Sequence, residues 1–430
     1  MQKLEPKARV AAGVAAHIYG QVVQIVIQLA TLPIFLARWN AEQYGQWIVL
    51  SAIPTYLSIA DFGIVTASGN MMSMHKAREE TAAVNRVFKS SILIVVIVIP
   101  LLALSTVVPV LMYGFGLDRE ARSALAALIL AALLNMACGL FDSAYRPFGK
   151  YPRVTVLLSS ARLLEWLGAI SGLFIGGSLA STACGLLAGR TVSFIIMFML
   201  ARRDVPELRW NLHQADSTLA RQLIRNGVGF LAFPIGNMLT LQGMVVLIGA
   251  QLGGSAVAVF NSIRTLARVL SQLAILTAKA MAPEMSRLHG AGEDQEAEKL
   301  VKQLLWTILP LTVAGAIALE LLGPRILEHW SHGKIPFNRV VFTWLVIGAI
   351  LAASWQIRAT QLTATNRHSF LALSFMVVSA GALLIAFSTV KAFGIASPAA
   401  STCLVEFGMV ICTTWALTRL GQSARGVRRS

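Results

Sequence analysis

Long apolar runs recur along the whole chain, separated by short stretches that hold nearly all of the charge. They lie near Ala11–Leu36, Tyr44–Ala67, Ser90–Tyr113, Ala121–Phe141, Val154–Ile175, Leu179–Leu200, Gly227–Ala250, Ala256–Ala280, Leu304–Leu322, Val340–Leu362, Phe370–Phe387 and Ile395–Ala416. Each is close to the ~20 residues that a helix needs to cross hydrocarbon. The pattern predicts an all-α polytopic membrane protein with about twelve transmembrane helices.

The connections alternate in length and charge. With the N-terminus inside, the inner segments hold groups such as Lys3, Lys7 and Arg9, then Lys76, Arg78, Arg86 and Lys89, then Arg202, Arg203, Arg209, Arg221 and Arg225. The outer segments hold only Arg38, Arg119, Arg122, Arg325, Lys334, Arg339 and Lys391. The positive-inside rule therefore places both termini in the cytoplasm. Inner connections at Met71–Lys89, Arg202–Arg225 and Glu284–Lys302 are long enough for short surface helices, whereas outer ones such as Gln251–Ser255 are turns. No soluble domain is left to house a catalytic centre, so an enzyme is not expected. Ala37–Trp47 lines up in pattern with Ala250–Phe260, each at the outer turn between the first two helices of a six-helix set. This repeat predicts an N-terminal lobe over 1–205, a cytoplasmic linker over 206–225 and a C-terminal lobe over 226–430, with a substrate pathway in a central cavity between two six-helix lobes.

Composition agrees with the pattern: 56% of the 430 residues are hydrophobic and 13% charged, and mean hydropathy is +0.68. A formal net charge of +16 raises nucleic acid as a partner. The basic residues sit in short groups between spans with no aromatic-interleaved stripe, which argues against one. Cys138, Cys184, Cys403 and Cys412 fall inside apolar runs without metal-ligand spacing, so neither disulfides nor a metal site is expected. The first run contains polar residues and lacks a small-residue cleavage site, and reads as a membrane helix rather than a removed signal peptide.

Candidate chemistry lies in polar residues that the apolar pattern fails to exclude. On the eighth run Asn261, Arg264, Arg268 and Ser271 share one helical face. An arginine at mid-membrane costs about 2.5 to 3.5 kcal/mol to insert, so two on one face should look into a wet cavity and suit an anion such as phosphate. The competing reading is a pair of structural arginines, each tied to a carbonyl or carboxylate. On the first run His17, Gln21, Gln24 and Gln28 recur in steps of four, three and four. That stripe is either a cavity wall or interhelical glue. Its counterpart run carries Phe233, Pro234, Gly236 and Asn237, which permit a kink.

Other buried charges divide between structural and coupling roles. Glu165 and Arg190 flank a hairpin turn near Gly177 at similar depth and are expected to pair, with Arg162 one turn before Glu165. Glu406 lies mid-span on the last run and is a candidate for ion coupling or a neutral structural acid. Arg358, with Gln361 one turn on, either extends a cationic cavity or partners Glu406. Asp61 precedes Phe62 and Gly63 near the inner end of the second run; it reads as a backbone cap and is a second candidate for ion coupling. Trp39, Trp210, Trp330, Trp344 and Trp415 stand at span ends and are expected to anchor in the membrane interface.

Tyr44-Gly45-Gln46-Trp47, Tyr56-Leu57 and Ala60-Asp61-Phe62-Gly63-Ile64 resemble the second-helix pattern of the Wzx-type polysaccharide and lipid-linked oligosaccharide flippases of the MOP superfamily. Val259-Phe260-Asn261 through Arg264 to Ala282-Pro283-Glu284-Met285-Ser286 is similar to that family's eighth helix. The resemblance implies a MATE-like fold and a carrier in the bacterial inner membrane, serving surface polysaccharide biosynthesis of the O-antigen or exopolysaccharide kind. Its substrate would be an undecaprenyl-pyrophosphate-type glycolipid moved by alternating access, with Arg264 and Arg268 clamping the pyrophosphate and the first-helix stripe touching sugar hydroxyls. Polysaccharide polymerase and glycosyltransferases are the partners it implies, besides membrane lipids. No cofactor is expected, and coupling to protons or sodium stays open. Rival readings are a MATE-like multidrug or cation antiporter, which should carry an acid where the first helix has His17 and glutamines, and a flippase for the peptidoglycan lipid precursor, whose family usually has two further helices. A membrane glycosyltransferase, polymerase or ligase would call for a larger outer loop than Gly323–Arg339, although Glu328, His329 and His332 lie in it.

Overall fold

The computed structural model describes residues 6–213, 215–228, 231–290, 293–364 and 369–427, and among them every regular element is helical. The chain forms two compact units, one of Met1–Trp39 with Leu50–Leu231, the other of Asn40–Val49 with Ala232–Ser430. The sequence places the corresponding break in the 206–225 linker and does not foresee that Asn40–Val49 joins the second unit.

The first unit holds α1 (Pro6–Arg38), the end of α2 (Ala41–Thr55), whose longer first part belongs to the second, α3 (Ile59–Ala77), α4 (Thr81–Tyr113), α5 (Arg119–Tyr145), α6 (Tyr151–Gly176), α7 (Leu179–Asp204) and the short α8 (Ser217–Val228). In the second are α9 (Ala232–Met238), α10 (Met244–Leu252), α11 (Gly254–Gly290), α12 (Asp294–Trp330), α13 (Arg339–Ala364), α14 (Ser369–Phe393) and α15 (Ala396–Val427). Ten helical stretches among the described residues are long and apolar enough to cross a membrane. The two further expected spans are α2 with α3, and α11. The first is no single helix: after Pro54 a 3₁₀ turn at Tyr56–Ser58 divides it, because proline withholds a backbone donor and crowds the preceding turn. The second is a continuous helix whose apolar character is diluted by Arg264 and Arg268.

Helix ends follow local chemistry. Asp118 accepts from the Ala121 amide at 2.7 Å to start α5, and Ser178 and Ser181 form a reciprocal capping box on α7. Where separate short surface helices were expected in two inner connections, the neighbouring long helices run on instead: α3 and α4 leave only residues 78–80 between them, and α11 continues to Gly290. Of the expected surface helices, α8 is one in fact, with Ala220 and Leu223 buried and Arg221 and Arg225 exposed.

Burial identifies one central helix per unit. α5 is buried on nearly all sides, packed by α3, α4 and α7, and α13 holds the same place among α11, α12 and α15. The peripheral helices leave rows of large apolar residues uncovered, such as Leu101, Leu104, Leu111 and Met112 on α4. In lipid such faces need no cover. Helix association then relies on close packing, and α6 meets α7 through glycines: a Cβ at Gly168 would overlap the Gly185 carbonyl, and one at Gly185 the Gly168 carbonyl. Trp39 departs from the interface role expected of it. It is only 2% exposed, edge-on to Phe35, and donates from Nε1 to the Gly177 carbonyl at 2.6 Å, which ties the end of α1 to the α6–α7 turn.

Candidate functional site

In the second unit the polar residues gather around α11. The helix that faces it from the N-terminal side, α9 running into α10, is interrupted at Leu239–Gly243 by a π-helical turn. Such a turn loosens the regular ladder of backbone bonds and asks for outside donors. Arg264 supplies one: its Nη1 donates to the Leu241 carbonyl at 2.8 Å and its Nη2 to Asn261 Oδ1 at 2.7 Å, with the guanidinium 5.3 Å from the Phe260 ring centroid. Thr240 Oγ1 lies within hydrogen-bond distance of the Gly236 carbonyl, at 3.1 Å, and of Ser379 Oγ of α14, at 2.9 Å, which holds the turn from its other side. Arg264 is 8% exposed. Where Pro234 and Gly236 led the sequence reading to expect a kink, the helical ladder changes a turn later, in the π turn at Leu239–Gly243.

Arg268, one turn beyond Arg264, is exposed and has neither an acceptor nor a carboxylate within bonding distance among the described residues. The two arginines that sequence spacing places on one face have therefore parted. One is drawn inward by a backbone carbonyl and the other is left with all its donors available. Asn261 and Ser271 are half-buried beside them.

Farther along this unit, Glu406 of α15 accepts from Trp355 Nε1 of α13 at 2.6 Å. Arg358 does not partner it; its Nη1 reaches Thr414 Oγ1 at 3.5 Å instead. The sequence flagged the acid and missed the indole, since nothing in the spacing of Trp355 and Glu406 couples them before α13 and α15 are known to pack together.

The first unit carries the other stripe. His17 Nε2 lies 3.2 Å from the Tyr151 hydroxyl with ring centroids 5.7 Å apart, so the polar face of α1 is fastened to the start of α6. Tyr19 with Ser160, and Trp166 with Thr31, continue the seam. Gln24 is exposed, Gln21 and Gln28 half-buried, and Gln28 has a partner of its own. Deeper in the unit Arg190 pairs with Glu165, and its Nη1 donates to Asn135 Oδ1 of α5 at 2.9 Å. Asn135 was not singled out in the sequence. Asp61 lies outside the described residues as far as its side chain is concerned.

One further acid sits at a helix start that the sequence motif bracketed without explaining. Asn40 and Gln43 cap α2 reciprocally, and Glu42 accepts from the amides of Gly254 and Ser255 at 3.1 and 2.7 Å and from Ser255 Oγ at 2.9 Å. It therefore provides the negative charge that the start of α11 favours. Gly45 permits the approach, because any Cβ there would overlap the Gly254 carbonyl. Partial burial raises the Glu42 carboxyl, and the bonds from Ser255 and Gly254 together outweigh that and hold it below its ordinary value. Glu42 and Ser255 are 213 residues apart, the same offset that aligns the two halves of the repeat. Among the described residues no group of three His, Cys, Asp or Glu side chains is placed to hold a metal ion.

Helical folds of this kind are found among solved membrane transporters. A multidrug resistance MATE family transporter of that superfamily, solved inward-facing, matches with a TM-score of 0.73 at 13% identity, over 95% of this chain and 99% of that one. The lipid II flippase MurJ in an inward closed conformation matches with a TM-score of 0.71 at 11% identity, over 94% and 87%. A Vibrio cholerae MATE transporter matches with a TM-score of 0.60 at 15% identity, over 98% and 97%. These likenesses establish the fold of a multi-pass membrane protein. The sequence itself matches the family described as polysaccharide biosynthesis protein over residues 10–289, and the chain belongs to that family. No curated protein matches it.

Proposed function

We propose that the chain is a flippase that moves an isoprenoid-pyrophosphate-linked oligosaccharide across the bacterial inner membrane by alternating access, with both termini in the cytoplasm. The observation that carries this reading is Arg268, an exposed cation on a helix of the apolar bundle that no carboxylate among the described residues neutralises. A guanidinium so placed is costly unless a hydrated path or an anionic ligand meets it. Pyrophosphate offers that ligand, and the planar donor fork of arginine matches it. Arg264 stands behind Arg268 and positions the π turn, while His17, Gln21 and Gln24 offer donors and acceptors to sugar hydroxyls. Membership of a polysaccharide biosynthesis family agrees with a glycan cargo. Substrate binding would shift the populations of inward- and outward-open states, as differential affinity requires. Glu406 is the candidate for ion coupling, since a carboxyl held by one indole donor can exchange a proton without breaking an ion pair.

Extrusion of cationic drugs is the alternative that the MATE fold invites. The first helix offers imidazole and amides where a cation exporter needs an acid, and Arg268 would repel the cargo. The test is reconstitution in vesicles with a lipid-pyrophosphate oligosaccharide on one side and a cationic dye on the other. Faster exposure of the glycolipid on the opposite leaflet, with no dye uptake, is expected. Dye transport without glycolipid movement would replace this reading with the drug-export one.

A further inference from the structure

The first unit contains a cavity of about 610 Å³, formed where the first turns of α4 meet the connection that leaves α7. Its polar lining comes from Asn85, Arg86 and Lys89 of α4 and from Glu207 and Arg209 of the connection. Four hydrogen bonds hold the connection there. Asn85 donates to the Glu207 carbonyl at 3.0 Å and accepts from the Arg209 amide at 2.8 Å, Lys89 Nζ donates to the His213 carbonyl at 2.7 Å, and Ser90 Oγ accepts from the Asp216 amide at 3.1 Å. The walls are therefore fixed by neutral acceptors and amides, with Lys89 alone among the charged side chains taking part.

Lys89 is the informative residue. It is 4% exposed, yet its partner is a neutral carbonyl that engages one of three ammonium donors. Removing an ammonium from water without an opposite charge costs several kcal/mol, roughly, even after relaxation. No ion pair engages Lys89, Arg86, Arg209 or Glu207 among the described residues. Asp216 lies within electrostatic reach of Arg86, but its Oδ1 accepts from the amides of Thr218 and Leu219 at 2.8 and 3.2 Å to cap α8. Three cations against one carboxylate thus line a space much larger than a bare phosphate.

From this lining we infer a binding site for a phosphate mono- or diester, with Arg86, Lys89 and Arg209 on the phosphoryl oxygens and Glu207 toward a hydroxyl or amine of its substituent. Arginine forks and a lysine point charge are the usual means of holding that group. The same chemistry reaches the site from two sources, the headgroup of an anionic phospholipid or a soluble phosphorylated molecule. A bound ligand would join α4 to the connection that leads into α8. The site shares no residue with the α11 and α1 stripes and stands whether or not the flippase reading does.

The test uses the full chain, the Arg86→Gln/Arg209→Gln variant, a Lys89→Met variant and a control in which the exposed Arg202 and Arg203 become Gln. Native mass spectrometry would count phosphatidylglycerol against phosphatidylcholine retained from mixed micelles, and thermal unfolding in neutral detergent would follow inorganic pyrophosphate. The wild type should prefer phosphatidylglycerol over phosphatidylcholine by at least roughly tenfold, since about 1 kcal/mol from each of three basic residues exceeds the ~1.4 kcal/mol that a factor of ten takes. The Arg86/Arg209 variant should lose that preference while the control keeps it. Loss confined to the lipid arm identifies a headgroup; loss of pyrophosphate stabilisation identifies a soluble phosphate. Equal retention by wild type and the Arg86/Arg209 variant in both arms, or equal loss in the control, overturns the site. Should Lys89→Met fail to fold, the double variant, altered only at exposed positions, decides alone.

Discussion

Arg264 and Arg268 are the same residue type one helical turn apart, and the structure requires them to respond oppositely to substitution. Arg264→Lys keeps the buried positive charge but replaces a two-pronged donor with a single flexible one, so the Leu241 carbonyl and Asn261 Oδ1 cannot both be reached. A hydrogen bond from a charged donor contributes about 1.5 to 3 kcal/mol, and losing one of two places the cost of Arg264→Lys at about 2 kcal/mol. Arg264→Met loses both bonds but also removes the cation, whose insertion costs about 2.5 to 3.5 kcal/mol. The two effects largely offset, and Arg264→Met should be no worse than Arg264→Lys. Arg268→Lys alters an exposed side chain without a described partner and should stay within about 0.5 kcal/mol of wild type. Denaturant titration of the protein in micelles, followed by tryptophan fluorescence, gives the order directly. A stable Arg264→Lys, or an Arg268→Lys that unfolds as early as Arg264→Lys, would refute the strap between α11 and the π turn.

Other positions give independent checks. Glu42→Gln keeps an acceptor at the start of α11 and loses the charge, so it should destabilise by about 1 kcal/mol at neutral pH. Because the folded carboxyl lies below its ordinary 4.5, the contribution is full above that pH and fades as acid protonates it; the gap between wild type and variant should narrow progressively when unfolding is repeated at pH values falling below 4.5. Glu165→Arg with Arg190→Glu should unfold later than either single change, each of which leaves a buried charge alone at a cost of about 3 kcal/mol, less where Glu165 is wetted. Asn135 can turn its amide to serve the exchanged pair, and a double variant no better than the singles would remove the hairpin argument. Glu406→Gln preserves an acceptor for Trp355, so folding should be unchanged while any pH dependence of transport disappears; a transport profile identical to wild type would exclude Glu406 as the coupling group.

Much of the fold was legible because lipid enforces a simple rule: an apolar run of about twenty residues must be helical. The spans, their hairpins and the Glu165 and Arg190 pairing follow from length and depth along antiparallel helices. Interruptions were harder. Pro54 marks the break in the second span only once the 3₁₀ turn after it is seen, and the π turn at Leu239–Gly243 has no composition of its own. Candidate residues were found where polarity violated the apolar pattern, as at Arg264, Arg268 and Glu406. Their partners escaped notice: Leu241 acts through a backbone carbonyl that no side-chain pattern reveals, and Trp355 and Asn135 are ordinary residues on helices whose packing the sequence does not specify. Trp39 shows the opposite error, an aromatic at a span end that is buried by a turn 138 residues away.

The direct measurement is leaflet exposure of a lipid-pyrophosphate oligosaccharide in vesicles containing wild type, Arg268→Ala or Arg268→Lys, each verified for insertion and unfolding midpoint. Wild type should move the glycolipid, Arg268→Ala should lose movement at unchanged stability, and Arg268→Lys should retain a reduced rate because a point charge replaces the fork. Full transport by Arg268→Ala would contradict the assignment of a pyrophosphate-bearing cargo to this cation.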